Sequence, residues 1–234
     1  MERVLVAGVK RYTQRTSECA LAACASLANY YDSEVNYSYL RGLVPPSKRV
    51  GGMYTPQQGL LLNRLGYTHI TIVSADYSLF DWTWAKLSKK SLVSKLKRKK
   101  IYLDQSSVDE AEAMKHYIKW LQMDGCNNNL IIDYNFPKYI KRHLNAGRPV
   151  GASFNWTAMF KLSKYDKNGK NDSKGDAVEH AVVLRGYDNE GVFVVDSHTR
   201  FYRGRLKKYK SGRYKVPWSK FLVNAPYGDL LLIH

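Results

Sequence analysis

The chain has 234 residues, 44% of them hydrophobic and 13% aromatic, which is enough to bury a core and too apolar for intrinsic disorder. Its early apolar run VLVAGV, residues 4 to 9, is too short for a signal peptide, and no run approaches the ~20 residues that span a bilayer, so the expectation is a soluble, unsecreted protein with no transmembrane segment. Lys and Arg number 37 against 20 Asp and Glu, a formal charge of +17, and the three cysteines form no CxxC pair. This argues against a disulfide framework or a zinc site, predicts no metal and no cofactor, and fits the cytoplasm or another reducing compartment.

In chain order, CALAACASLANYY (19–31) is dominated by Ala, Leu and Cys and predicts a helix over 17–31, with Thr16 or Ser17 as its cap and Asp32-Ser33 as its end. A short helix around 36–44 stops at Pro45-Pro46. Thr55 is expected to cap a third helix, with Pro56 at its first position and Gly66 after its last turn. THITIVSA (68–75) alternates as a strand. Phe80, Trp84, Leu87, Leu92 and Leu96 then recur near helical spacing and leave Lys86, Lys89, Lys90 and Lys97 on other faces. Ser107 and Glu110 form a capping-box signature for a helix running to Gly125, and 136–147 reads as a helix feeding a strand at RPVGASF.

After residue 148 the period is mostly two. HAVVLRGY (180–187) and GVFVVDS (191–197) flank DNEG as a hairpin, and YKVPW and DLLLIH supply further strands. The predicted class is α+β: one domain with a helical lobe over about 1–147, an antiparallel β lobe over about 148–234, and a basic helical insertion over about 76–135. Asp166, Asn168 and Asp172 hint at a calcium loop, but Gly169 falls where an EF-hand would not place it, so a turn is expected there.

Two windows hold much of the positive charge. Residues 86–100 carry eight basic side chains, among them Lys95, Lys97, Arg98, Lys99 and Lys100; residues 203–215 carry seven, among them Lys207, Lys208 and Lys210, and read as a basic β-hairpin turning at Ser211-Gly212. Solvated faces explain them, and so does an acidic partner such as nucleic acid, an anionic membrane or an acidic substrate.

A thiol becomes a good nucleophile at a helix N-terminus beside an imidazole, and Cys19 meets the first condition. Of the six histidines His180 is the best partner, because it opens a strand after a loop; alone it is either half-buried structure or a functional group. Asp196 ends the next strand of that antiparallel hairpin, beside the start of the His180 strand, where a carboxylate would orient the ring. Gln14 supplies an amide that, with the Cys19 backbone N–H, would hold an oxyanion. Cys24, about 140° round the helix from Cys19, is expected in the core, and Cys126 is expected to be structural.

QRTSECALAACASLANYY resembles the opening of the C39 and C39-like peptidases, a papain-like family. GGMYTPQQGLLLNRLGY, IKRHLNAGRPV and EHAVVLRGYDNEGVFVVDSH resemble, in order, three of its later segments. The resemblance covers roughly 14–66 and 139–198. It implies a papain-like fold whose helical lobe carries Cys19 and whose sheet carries His180 and Asp196, with Gln14 at the oxyanion. It further implies a cysteine peptidase acting on peptides or proteins; the alternatives are a transglutaminase-like acyltransferase and a non-catalytic basic module for nucleic acid. Ala20 stands where the family usually has glycine, and Ser197 where proline commonly follows the aspartate.

Overall fold

The computed structural model describes residues 2–15, 17–31, 35–47, 51–166, 169–198, 204–225 and 228–234. In chain order the elements are β1 (Arg3–Leu5), α1 (Cys19–Tyr31), α2 (Tyr37–Leu43), α3 (Thr55–Arg64), β2 (Ile70–Ser74), α4 (Lys89–Ser106), α5 (Val108–Leu121), β3 (Asn129–Ile132), α6 (Phe136–Asn145) and β4 (Val150–Asn155). They continue with α7 (Trp156–Met159), β5 (Tyr165–Asp166), β6 (Gly169–Lys170), β7 (Glu179–Asp188), β8 (Gly191–Val195), β9 (Arg213–Pro217), α8 (Trp218–Asn224) and β10 (Asp229–Ile233). The class is α+β, as expected.

One eight-stranded sheet organises the fold in the order β3-β2-β10-β4-β7-β8-β9, with β1 added on β7. Two expectations are corrected here. Strands β1, β2 and β3 precede residue 147, so the sheet draws on both halves of the chain, and β2 and β3 run parallel. Parallel neighbours need a crossover, and α4 and α5 supply it. The basic segment 76–135 is therefore a crossover that ends in a sheet strand, not a wholly helical insertion.

Alternation also fails at β2. All five of its residues are buried, as are all five of β10, and α3 packs on both strands. The nine residues Ala20 to Ala28 of α1 are all buried too, and the helix packs on β7, β4, α2 and α3. Its alanines permit this close approach. So does Gly151 on β4, where a Cβ would stand 3.2 Å from Leu27 Cδ1 and 3.0 Å from Leu231 Cβ.

Several helix ends differ from expectation. Asn36 caps α2 by accepting from the N–H of Ser38 and Tyr39. Tyr54, not Thr55, holds the cap position of α3, its N–H donating to Gln57 Oε1 at 3.0 Å, which frees Thr55 to bond Asp229. Ser107 is the extended joint between α4 and α5 and its side chain caps neither, so the α5 start relies on Asp109 and Glu110 in its first turn. The 203–215 window is not a hairpin of its own: Gly204–Tyr209 forms a 3-10 turn, Gly212 turns the chain with φ +68°, and β9 pairs with β8. Arg203, Asn168, Thr16 and the expected stop at Asp32-Ser33 lie outside the described residues.

Candidate active site

Cys19 is the first residue of α1. The first intrahelical bond runs from Ala22 N–H to Glu18 C=O, so Glu18 holds the cap position, while Ser17, expected to cap, adopts φ +59° before it. The N–H groups of Cys19, Ala20 and Leu21 are left at the positive end of the helix. Glu18 is buried; Tyr37 donates to its Oε2 at 3.0 Å and Arg41 pairs with Oε1, which ties α2 to the start of α1.

The β7–β8 register brings the second and third groups together. Val183 pairs with Val195, so His180, near the start of β7, lies diagonally across from Asp196, just past the end of β8. His180 Nε2 is 2.7 Å from Asp196 Oδ1, both residues are buried, and the imidazole hydrogen-bonds the Cys19 thiol. The rival carboxylate, Asp188, is at the far end of the hairpin, where it accepts from the N–H groups of Glu190 and Gly191 and from Lys215.

Electrostatics favour a thiolate–imidazolium pair. Burial raises the Cys19 pKa, but the His180 hydrogen bond and charge, with backbone N–H groups of Ala181 and Ala20, outweigh it and bring the thiol below its usual value. Burial likewise works against protonated His180; the Asp196 charge and hydrogen bond, with Cys19, outweigh it and raise the imidazole pKa. Cys24 behaves oppositely. It is fully buried on α1, and burial alone pushes its thiol up.

Gln14 joins the site through the residue after Asp196. Ser197 Oγ donates to Gln14 Oε1 at 2.8 Å, and Gln14 N–H donates to Ser197 C=O at 3.2 Å. With its carbonyl end occupied, the amide presents its NH2 end as a donor.

Four further residues complete the surroundings. Asp196 Oδ2 accepts from Tyr214 of β9 at 2.6 Å, and its Oδ1 also accepts from the His198 N–H at 2.7 Å. The Trp156 ring packs edge-on 6.5 Å from His180 and 4.9 Å from His198, whose pKa burial and the His180 charge lower to about 4. Ser197 was visible in the sequence only as a departure from proline. Tyr214, Trp156 and His198 carried no local signal, since each reaches the site through sheet register or a turn.

The basic candidates lie on two separate elements. Lys95, Arg98 and Lys99 line one cleft of α4, Lys97 with Lys89 and Lys90 lines another, and Lys100 pairs with Asp104 at 2.6 Å. Lys207 and Lys208 belong to the 3-10 turn before β9, and Lys210 follows it. At the turn expected in place of a calcium loop, Asp166 accepts from Asn171 at 2.8 Å, a bond internal to the loop.

The model of the Peptidase C39 like family matches residues 6–223. The chain belongs to the C39-like peptidase family. Two solved structures are similar to it at 15% identity: a C39-like peptidase from Bacillus anthracis, with TM-score 0.48 over 100% of this chain and 98% of that one, and the peptidase domain of Streptococcus ComA, a bi-functional ABC transporter involved in quorum sensing, with TM-score 0.45 over 97% and 100%. None of the curated proteins compared with the chain matches it. Among the described residues of this C39-like chain, no helix is long and apolar enough to cross a membrane.

Proposed function

We propose that the protein is a cysteine peptidase in which Cys19 is the nucleophile, His180 the general base and acid, Asp196 the group that orients the ring, and Gln14 an oxyanion donor. The observation that carries this reading is the hydrogen-bonded line Cys19–His180–Asp196, begun at the first residue of a helix and closed by a 2.7 Å bond. Family membership supplies the reaction class.

In this mechanism the Cys19 thiolate attacks the carbonyl carbon of a peptide bond. The resulting oxyanion is held by the Gln14 amide and a backbone N–H at the start of α1. His180, protonated by the thiol, passes that proton to the departing amine as the C–N bond breaks, leaving a thioester on Cys19. The imidazole then takes a proton from water, hydroxide attacks the thioester, and the acid product leaves with the thiol restored. Asp196 steadies the imidazolium throughout and keeps its Nε2 occupied, so that Nδ1 is the nitrogen available to sulfur.

The test is turnover of a peptide library, read by mass spectrometry, by wild type and by Cys19→Ala. Cleavage by wild type and loss of at least a thousandfold in Cys19→Ala, with an unchanged melting temperature, is expected. Cleavage that persists in Cys19→Ala, or a library left intact by a wild-type enzyme whose Cys19 is reduced, would remove the reading.

A further inference from the structure

The basic helix α4 divides its charges in a way the charge count does not show. Leu92, Leu96 and Leu103 form its buried stripe. Lys95, Arg98, Lys99 and Tyr102 fall at i, i+3, i+4 and i+7 and therefore share one face. Opposite them stands Trp84, from the 3-10 turn Trp82–Trp84. Trp84, Lys95, Arg98, Lys99, Tyr102 and Leu103 line a cleft of about 290 Å³. Its walls are aromatic rings and alkyl stems, and Lys95, Arg98 and Lys99 supply its cations.

Lys100 is neutralised by Asp104, whereas Lys95 and Arg98 form no ion pair or hydrogen bond among the described residues. Lys99 donates to the Ser78 carbonyl, which ties α4 to the 77–84 loop and keeps cleft and loop side by side. On that loop the aromatics continue outward. Trp82 contacts Tyr77 at 4.9 Å and Tyr134 at 5.4 Å between ring centroids, and the three are 36%, 58% and 71% exposed. Asp81 is the carboxylate near Lys99 and Lys95, one acid against three cations, and packing does not account for so many exposed rings beside them.

We propose that this face binds single-stranded nucleic acid, with a base between Trp84 and Tyr102, its phosphates on Lys95, Arg98 and Lys99, and the next bases on the ridge of Tyr77, Trp82 and Tyr134. An unpaired nucleotide brings together the two things the face offers partners for, a flat π-ring and an adjacent anion. A duplex keeps its bases paired and cannot fill the cleft. An acidic peptide uses the cations but leaves the ring faces idle. An anionic bilayer calls for apolar groups that protrude, whereas Trp84 and Tyr102 line a concavity. The inference does not depend on the peptidase reading, because none of these residues belongs to the site around Cys19.

The experiment is a fluorescence-anisotropy titration of labelled oligo(dT) of about twelve nucleotides, at low and near-physiological salt. Wild type is compared with Tyr102→Ala, which alters a side chain 68% exposed, and with Lys95→Ser/Arg98→Ser. Thermal melts establish that each variant is folded. Tyr102→Ala is expected to weaken binding about tenfold, and the double variant to weaken it and flatten its salt dependence. Parallel titrations use a duplex of the same length, polyglutamate and phosphatidylserine vesicles. No binding of oligo(dT) at low salt would overturn the proposal, as would affinity indifferent to Tyr102→Ala. So would equal or tighter binding of the duplex, the polyglutamate or the vesicles.

Discussion

Ser197 donates its hydroxyl to the Gln14 side-chain carbonyl at 2.8 Å while its own backbone carbonyl accepts the Gln14 N–H at 3.2 Å. The residue that follows the site carboxylate thus fixes which end of the Gln14 amide is free to donate. A proline at that position would still offer the backbone carbonyl but not the hydroxyl. Ser197→Ala is expected to lower kcat/KM about tenfold, mostly in kcat, with Ser197→Thr restoring most of it. Gln14→Ala is expected to cost about a hundredfold, in line with loss of one oxyanion donor. Steady-state kinetics on a peptide found by the library screen measures both. An unchanged kcat in Ser197→Ala would show that the amide orients itself.

Tyr214 holds the other oxygen of a fully buried carboxylate. Tyr214→Phe removes one charge-assisted hydrogen bond and almost no volume, so a loss of about 1.5–3 kcal/mol in unfolding free energy is expected. Denaturant titration measures it. Labelling of Cys19 by a thiol reagent near neutral pH should slow in the same variant, because a less firmly held Asp196 supports the imidazolium less.

Labelling as a function of pH reports the ion pair directly. The Cys19 pKa is lowered, so labelling through its thiolate should persist to lower pH than for an ordinary thiol and be lost as pH falls through that lowered value. Burial raises the Cys24 pKa, and this thiol should stay unlabelled in the folded protein throughout. In His180→Ala the low-pH portion of the Cys19 curve should disappear. Mass-spectrometric mapping of the labelled fragments decides this; equal labelling of Cys19 and Cys24 in folded protein would contradict it.

Acid should destabilise the fold well above the carboxylate range. His143 is buried on α6, against His234 at 5.3 Å between ring centroids, and its Nε2 has no hydrogen-bond partner among the described residues. Burial first, then the charges of His234 and Arg148, lower its pKa to about 4. The unfolded chain, with an ordinary value near ~6.5, therefore takes up a proton that the folded chain refuses between these two values. The His143 contribution to stability is full above about pH 6.5 and falls as pH drops toward 4, by an amount on the order of 2 kcal/mol. His198, also lowered to about 4, adds a contribution of the same sign. Chemical denaturation at pH 7 and pH 5 should show the drop, and His143→Leu should shrink it.

The helix of Cys19 and the hairpin of His180 and Asp196 were legible because each rests on local pattern: an alanine-rich run, a period of two, and a four-residue turn. That His180 would meet Asp196 was legible from strand polarity alone, since the end of one antiparallel strand lies beside the start of its partner. What escaped was set by distant contacts. Nothing local in ITIVS or NLII tells a strand that it will run parallel to another across a two-helix crossover. The burial of every residue in β2 is set by tertiary packing, with α3 among the elements against it. Tyr214 reaches Asp196 only because β9 pairs with β8, and the two cationic faces of α4 separate only once its buried stripe is known.

The docking of α1 on β7 has a bearing on when the thiol becomes reactive. Cys19 is made well before His180 and Asp196, so a growing or partly folded polypeptide that lacks them carries Cys19 as an ordinary, sluggish thiol. Its activation is then a late event of folding, coincident with closure of long-range contacts that are slow to form. Under the peptidase reading, the distance in sequence between the two halves of the site thus keeps its chemistry from the nascent chain.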